Sequence, residues 1–298
     1  MTVKVKQRKR RNRRFRFYHA VLAIMLIYLF VPMLATLLYA LAGTWQTTIL
    51  PESWTLHWFA DLLQDARFGE SFLRSLFVCG FSLILGAAVI TPAVMIISLE
   101  FPRWQKVLSF LALLPYAIPG VVAAVGLLRL YSSGPLPISG TVWLLSAAYV
   151  IAIMPYMYQG VRGSLQAFQA GALLEAATLL GANRWRAYRY VLLPNLLPGL
   201  TVSMLLSFAV LLGEFVLANL LVGGHYETVQ LYLYRRQSES GHLSSAVAFT
   251  YFVLVLIVSG VMLQLSKRMF AAPAQVEGPA IMGGAASAMN AQEGRKLG

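Results

Sequence analysis

The chain has 298 residues, 58% of them hydrophobic and only 12% charged, with a formal net charge of +13. Soluble domains carry about a quarter charged residues, so a soluble globular fold is excluded and an all-α integral membrane protein is expected. A lone cysteine, Cys79, permits no intrachain disulfide, and His19, His57, His225 and His242 show no metal-ligand spacing.

Nine of the 24 basic residues lie in KVKQRKRRNRRFR, between Lys4 and Arg16, immediately before the first apolar run. Charge placed there fits helix orientation and attraction to anionic lipid head groups, and argues against nucleic acid. Residues 1–16 therefore read as a basic cytoplasmic tail. The first span is expected from about Phe17 to Ala42. It is too long for a signal-peptide core, and LYALAGTW offers only a weak cleavage site, so it reads as a retained helix. The loop GTWQTTILPESWTLHWFADLLQDARFGE follows, acidic and with three tryptophans. An interfacial aromatic belt with a short helix explains it with fewer assumptions than a contact surface for an external partner, which stays open.

Further spans are expected at about Phe72 to Leu99, with Pro92 kinking it, and at Val107 to Leu130, which carries Pro115 and Pro119 in LLPYAIPG. Those prolines and Gly120 read as a packing kink ahead of a flexible, gate-like segment. A tight turn, YSSGPLPISG, leads to a fourth span from Thr141 to Tyr158 with Pro155 near its end. The fifth covers Val191 to Val222 and the sixth Ser245 to Leu265. Each reaches the roughly twenty residues that a helix needs to cross the hydrocarbon core, and prolines are tolerated where neighbouring helices satisfy the freed carbonyls. Residues 17–270 thus form one six-helix transmembrane domain. The small-residue, Pro/Gly-rich stretch 271–298 reads as a disordered cytoplasmic tail.

With the N-terminus inside, the tail, Arg103, Lys106, Arg162, Arg184, Arg186, Arg189, Lys267, Arg268, Arg295 and Lys296 put nineteen basic residues on the inner side. Arg67, Arg74, Arg129, Arg235 and Arg236 leave five outside. That bias places both termini in the cytoplasm.

The inner loop between the fourth and fifth spans, about 160–194, contains LEAATLLGANRWRAYRYVLLP. GALLEAATLLG is a good helix former that stops at Gly181, a natural C-cap. Leu173, Ala176, Ala177 and Leu180 share one face, with small residues that admit another surface. Asn183 is placed to cap a second helix bearing Arg184, Arg186 and Arg189. An ordinary positive-inside loop explains the arginines, but neither the length nor the order of residues.

That order resembles the EAA motif of binding-protein-dependent ABC importer permeases: Glu-Ala-Ala, three residues, Gly, nine residues, an aliphatic residue, one residue, Leu-Pro. Glu175, Ala176, Ala177, Gly181, Val191, Leu193 and Pro194 fall on every anchor. The resemblance covers about Phe72 to Arg268. It implies a type I importer permease bundle in the cell inner membrane, with Glu175 to Pro194, Arg184 included, as a coupling helix. The implied partners are two copies of a cytoplasmic ATP-binding subunit, a second permease (a related chain or a second copy) and an external solute-binding protein. ATP would be used by the partner, and this chain lacks a G-x-x-x-x-G-K-[ST] phosphate loop of its own. No cofactor is expected on it.

Glu214, in LLGEFVLANLLVGG, is the only acid well inside an expected span. An intramembrane carboxylate is a functional-site candidate by default. Two readings stand level, a place on the translocation path or a structural role, paired with Arg129 or capping a broken helix. LGEF is similar to the permeases for polyamines, aminoethylphosphonate, ferric iron and oxyanions, and SSGPLPISGTVWLL and GGHYETVQLYLYRRQSESG to the polyamine and 2-aminoethylphosphonate branch of the family. A carboxylate suits an amine-bearing solute, which ranks spermidine or putrescine first, ahead of 2-aminoethylphosphonate, ferric iron or another small solute. Tyr116, Pro119, Tyr156 and Tyr158 are further candidates for the path. A stand-alone secondary transporter would predict inverted repeats and several intramembrane charges. A membrane enzyme would predict a catalytic constellation. The sequence has none of these features.

Overall fold

A computed structural model describes residues 2–45, 48–133 and 137–269 of the chain. The first helix, α1 (Thr2–Leu41), continues the basic stretch without a break into the first span. A short helix, α2 (His57–Gln64), precedes α3 (Ala66–Glu100). At 1.5 Å per residue the 35 residues of α3 reach about 52 Å, well beyond a hydrocarbon core of about 30 Å. It therefore starts six residues earlier than expected, with Asp65 as N-cap accepting the Arg67 N–H at 2.9 Å. Pro92 lies within this helix without ending it.

The expected third span is instead two helices, α4 (Gln105–Ala117) and α5 (Gly120–Ser132), bent by 103°. Pro119, whose φ of −58° and ψ of 137° are extended, supplies the corner. This is a sharp change of direction and not the packing kink expected from the prolines. The fourth span, α6 (Val142–Ala167), runs nine residues past the expected end, so Pro155 lies buried in mid-helix.

Two short helices, α7 (Ala170–Leu179) and α8 (Arg184–Ala187), make the inner loop. They lead into α9 (Leu193–Leu212). The expected fifth span breaks at Gly213–Phe215 before α10 (Val216–Leu221). Then α11 (Val229–Gln237) precedes the sixth span, α12 (Gly241–Met269). Among the described residues five helices are long and apolar enough to cross a membrane, six when the bent pair is counted as one broken span. The expected disorder of 271–298 falls outside the described residues.

At the centre α6 is sandwiched between α3 and α9, with Val78, Val94, Leu145, Ile153, Met157, Leu196 and Leu211 fully enclosed. Close approach is set by small residues. A Cβ on Gly160 would lie 1.5 Å from Ser203 Oγ, and one on Gly199 would lie 1.8 Å from Ser164 Oγ. GVRGS on α6 and GLTVS on α9 thus interlock reciprocally, each serine donating to the carbonyl four residues back, at 2.8 and 2.9 Å. Small residues at i and i+4 are the usual means by which membrane helices approach without a hydrophobic drive. By contrast α1 sits at the periphery against α12, its Val21–Leu41 stretch exposed as a lipid-facing helix would be.

At one end of the bundle the tryptophan-rich loop is tied down on one side. Trp58 Nε1 donates to the Ala42 carbonyl at 2.9 Å, and the Trp58, His242 and Tyr39 rings stack in series. Trp54 stays exposed, at 60%. A second cluster joins α11 to the start of α3, with the Asp65 carboxylate accepting from Tyr232 at 2.7 Å and pairing with Arg236.

Candidate functional site

The inner loop is built from local rules that its sequence carries openly. α7 ends in a Schellman motif: Gly181 N–H donates to the Thr178 carbonyl and Ala182 N–H to that of Ala177, both at 3.0 Å. Gly181 takes φ +83°, where a side chain is strained. Asn183 holds the expected cap position of α8 in extended conformation, but its side chain makes no capping bond. After α8 the chain widens into a π turn, Tyr188–Leu192, with the Leu193 N–H reaching back to the Tyr188 carbonyl. Pro194 has no N–H to close the next turn, and the Asn195 side chain bonds the Val191 carbonyl at 2.7 Å.

Two faces result. Ala170, Leu174, Ala177, Ala187 and Leu192 are buried against the bundle. Glu175, Ala176 and Gly181 face away, together with Leu179 at 88% and Leu180 at 89% exposure. The single docking face expected of Leu173, Ala176, Ala177 and Leu180 is therefore divided, because Ala177 closes on its own bundle. Arg184 pairs with Glu100 at the inner end of α3, and the Tyr188 hydroxyl donates to the same carboxylate at 3.0 Å. Glu100 was not singled out from sequence. An acid at the end of an apolar run opposite an arginine-bearing loop was the signal for it. Leu193 and Pro194 line a groove of about 920 Å³ between α3 and α9, walled by Pro92, Met95, Ile96 and Trp185. Its surface is largely apolar, with the Glu100–Arg184 pair at one end.

Glu214 sits in the break between α9 and α10. Its Oε1 accepts the Leu217 N–H at 2.7 Å and its Oε2 the Ala218 N–H at 3.1 Å, so both oxygens cap α10. Among the described residues no basic side chain pairs with it, Arg129 included. Around it close Ser75, Cys79, Tyr149, Thr228 and Gln230, in a space too tight for a solute. Pro119 occupies the N-cap of α5, and a Cβ on the next residue, Gly120, would lie 3.7 Å from Val216. The two helix breaks therefore abut.

Tyr116 and Tyr156 meet as an edge-to-face pair, ring centroids 5.6 Å apart, where α4 packs on α6. One helical stretch further along α6 lies a cluster of which sequence reading named only Tyr158 as a path candidate. Arg162 Nη1 donates to Ser109 Oγ at 3.0 Å and to the Tyr158 hydroxyl, which itself bonds Ser109. No group of three or more His, Cys, Asp or Glu among the described residues is placed to hold a metal.

The fold is a helical membrane bundle with two broken helices and a structured loop at one end. Residues 90–271 match the family of binding-protein-dependent transport system inner membrane components, and the chain belongs to that family. It is a multi-pass inner-membrane permease subunit of an ABC importer.

Among its relatives is a Salmonella typhimurium chain named as a 2-aminoethylphosphonate transport system permease protein, PhnV. It is 29% identical over 248 residues, covering 82% of this chain and 90% of the relative. The spermidine/putrescine transport system permease protein PotC of Haemophilus influenzae is 26% identical over 226 residues, covering 74% and 84%. In fold, the chain is similar to a chain of a bacterial alginate ABC transporter solved with its alginate-bound periplasmic protein. The TM-score is 0.67 at 20% identity, over 89% of this chain and 97% of the other. A chain of the inward-facing MetNI methionine ABC transporter gives 0.56 at 18%, over 68% and 94%.

Proposed function

We propose that this permease passes a small organophosphonate of the 2-aminoethylphosphonate kind to the cytoplasm, and that the polyamine reading ranks second. The observation carrying this is the engagement of Glu214. Its two oxygens cap α10 in a space too small to admit a solute, so Glu214 is poorly placed to receive an ammonium group, and it was the one reason to rank a polyamine first. The longer match to the phosphonate-named relative supports the same order.

In this reading the solute arrives from an external binding protein, and ATP is used by two cytoplasmic subunits docked on the loop. A second permease, related or identical, completes the path, and both termini lie inside. The exposed face of Glu175, Ala176, Leu179 and Leu180 is the docking surface, because two adjacent, almost fully exposed leucines on a loop outside the spans call for a cover. Motion received there enters α6 and α9 together, since the loop is rooted on two helices interlocked at Gly160/Ser203 and Gly199/Ser164. Glu100 extends the linkage to α3.

The test is capture of the tagged chain from solubilised native membranes, beside Glu175→Lys and Leu180→Asp. An ATPase and a second permease recovered with the wild type, the ATPase lost from both variants, supports the assignment. An ATPase retained by both refutes the docking surface. Competition of labelled 2-aminoethylphosphonate uptake by spermidine then ranks the two solute classes.

A further inference from the structure

Between α4 and α6 a polar track runs along helices that are otherwise apolar. On α4, Gln105, Ser109 and Tyr116 recur at spacings of four and seven, which keeps them on one face. On α6, Tyr156, Gln159 and Arg162 recur every third residue. Tyr116, 55% exposed, and Gln159 lie open on the surface of this chain. Hydrogen-bonding groups facing hydrocarbon are costly, so this face looks onto water or a polar partner.

At its inner end stands Arg162. An arginine near the end of a span ordinarily stretches its head toward the nearest water. Arg162 does the opposite: its guanidinium lies over the Tyr158 ring, 5.7 Å from the centroid and one turn back into the span, held by Nη1 to Tyr158 and Ser109. These partners are neutral. No carboxylate among the described residues lies within ion-pair distance. A half-buried cation turned inward without an anion is an incomplete site, and a planar guanidinium is matched best by a carboxylate, phosphate or phosphonate.

We propose that Arg162 is the anion-recognising residue of the transport path, with Ser109 and Tyr158 as its positioning residues, and that the group it receives is the phosphonate of the solute. The proposal rests on the organophosphonate reading above. Tyr116, Tyr156 and Gln159 line the approach and give the solute neutral hydrogen-bond partners on the way.

The test uses the whole importer in proteoliposomes, with labelled 2-aminoethylphosphonate and labelled spermidine as separate probes. Arg162→Gln is expected to lower 2-aminoethylphosphonate uptake by roughly tenfold or more, as loss of a charge-assisted contact implies, while binding-protein-stimulated ATP hydrolysis continues. Arg162→Lys should recover part of it, and Tyr158→Phe should cost several-fold through misplacement of the guanidinium. Wild type that moves 2-aminoethylphosphonate, with Arg162→Gln and Tyr158→Phe both at its rate, overturns the role of Arg162 alone. Wild type that moves spermidine and not 2-aminoethylphosphonate overturns the solute reading first, and this proposal with it. Should Arg162→Gln not reach the membrane, Tyr158→Phe decides, and uptake unchanged in that variant counts against the proposal.

Discussion

Gly160→Ala is the sharpest perturbation the fold offers, because the geometry fixes what the new methyl must meet. It would stand 1.5 Å from Ser203 Oγ and 2.6 Å from Ser203 Cβ. Rotating Ser203 removes the first clash at the loss of its 2.9 Å bond to the Gly199 carbonyl. The second needs about 1 Å of separation between α6 and α9, since carbon atoms touch at about 3.5 Å or more. Overpacking of that kind costs about 1–3 kcal/mol, or roughly 5- to 150-fold in the folding equilibrium. Gly199→Ala meets Ser164 Cβ at 3.0 Å and should cost less, whereas Gly163→Ala meets nothing within 4 Å and should be neutral. Ser203→Gly in the same chain as Gly160→Ala leaves only a Cα at 3.7 Å and should restore stability. Denaturation midpoints of the detergent-purified complex read the series. Equal midpoints for Gly160→Ala and Gly163→Ala, or no rescue by Ser203→Gly, would refute the interlock.

Gly181→Ala, forced to φ +83°, should cost about 1 kcal/mol and lower uptake while membrane insertion is unchanged, as measured by uptake normalised to membrane level. Glu214→Ala should cost about 1 kcal/mol through loss of the α10 cap, measured by denaturation, with no change in which solutes compete. Burial pushes the Asp65 carboxyl up, but bonds from Tyr232, the Arg67 N–H and Arg236 outweigh it and hold the group below the usual carboxylate range. A depressed folded value means its stabilisation is full above the unfolded value of about 4 and is lost as pH falls through the folded one. Denaturation midpoints between pH 3 and 6 should fall less steeply for Asp65→Asn than for wild type.

The inner loop was the most legible part of the sequence because its structure follows from local rules. Gly181 ends a helix, Asn183 starts one, and Pro194 limits the next. Which face of α7 would turn outward was not legible, since Ala176 and Ala177 are equally small and only the neighbouring bundle distinguishes them. The spans were legible by length and hydropathy, but the 103° bend at Pro119 was not, because a proline within an apolar run is compatible with a straight, kinked or folded-back helix. The reciprocal contact of α6 and α9 left a trace, glycine and serine four apart in GVRGS and GLTVS, that hydropathy does not read.

Two charges inside the bundle carry opposite lessons. Glu214 drew notice because an acid in an apolar run is expensive, and the structure covers that expense locally, with two N–H groups of the helix it starts. Arg162 drew none, because a cation near the inner end of a span satisfies the positive-inside pattern and needs no further reason. Sequence cannot tell an arginine stretched toward the cytoplasm from one folded back over Tyr158, since both have the same position and the same neighbours in the chain. The distinction rests on Ser109, 53 residues away in sequence and 3.0 Å away in space. Both charges are bonded by neutral groups, but Glu214 is closed in with no room for a solute, whereas Arg162 stands at the end of an exposed polar face. If the proposal holds, the solute's charge is read at Arg162 and not at Glu214, and the importer prefers the solute bearing the anionic group.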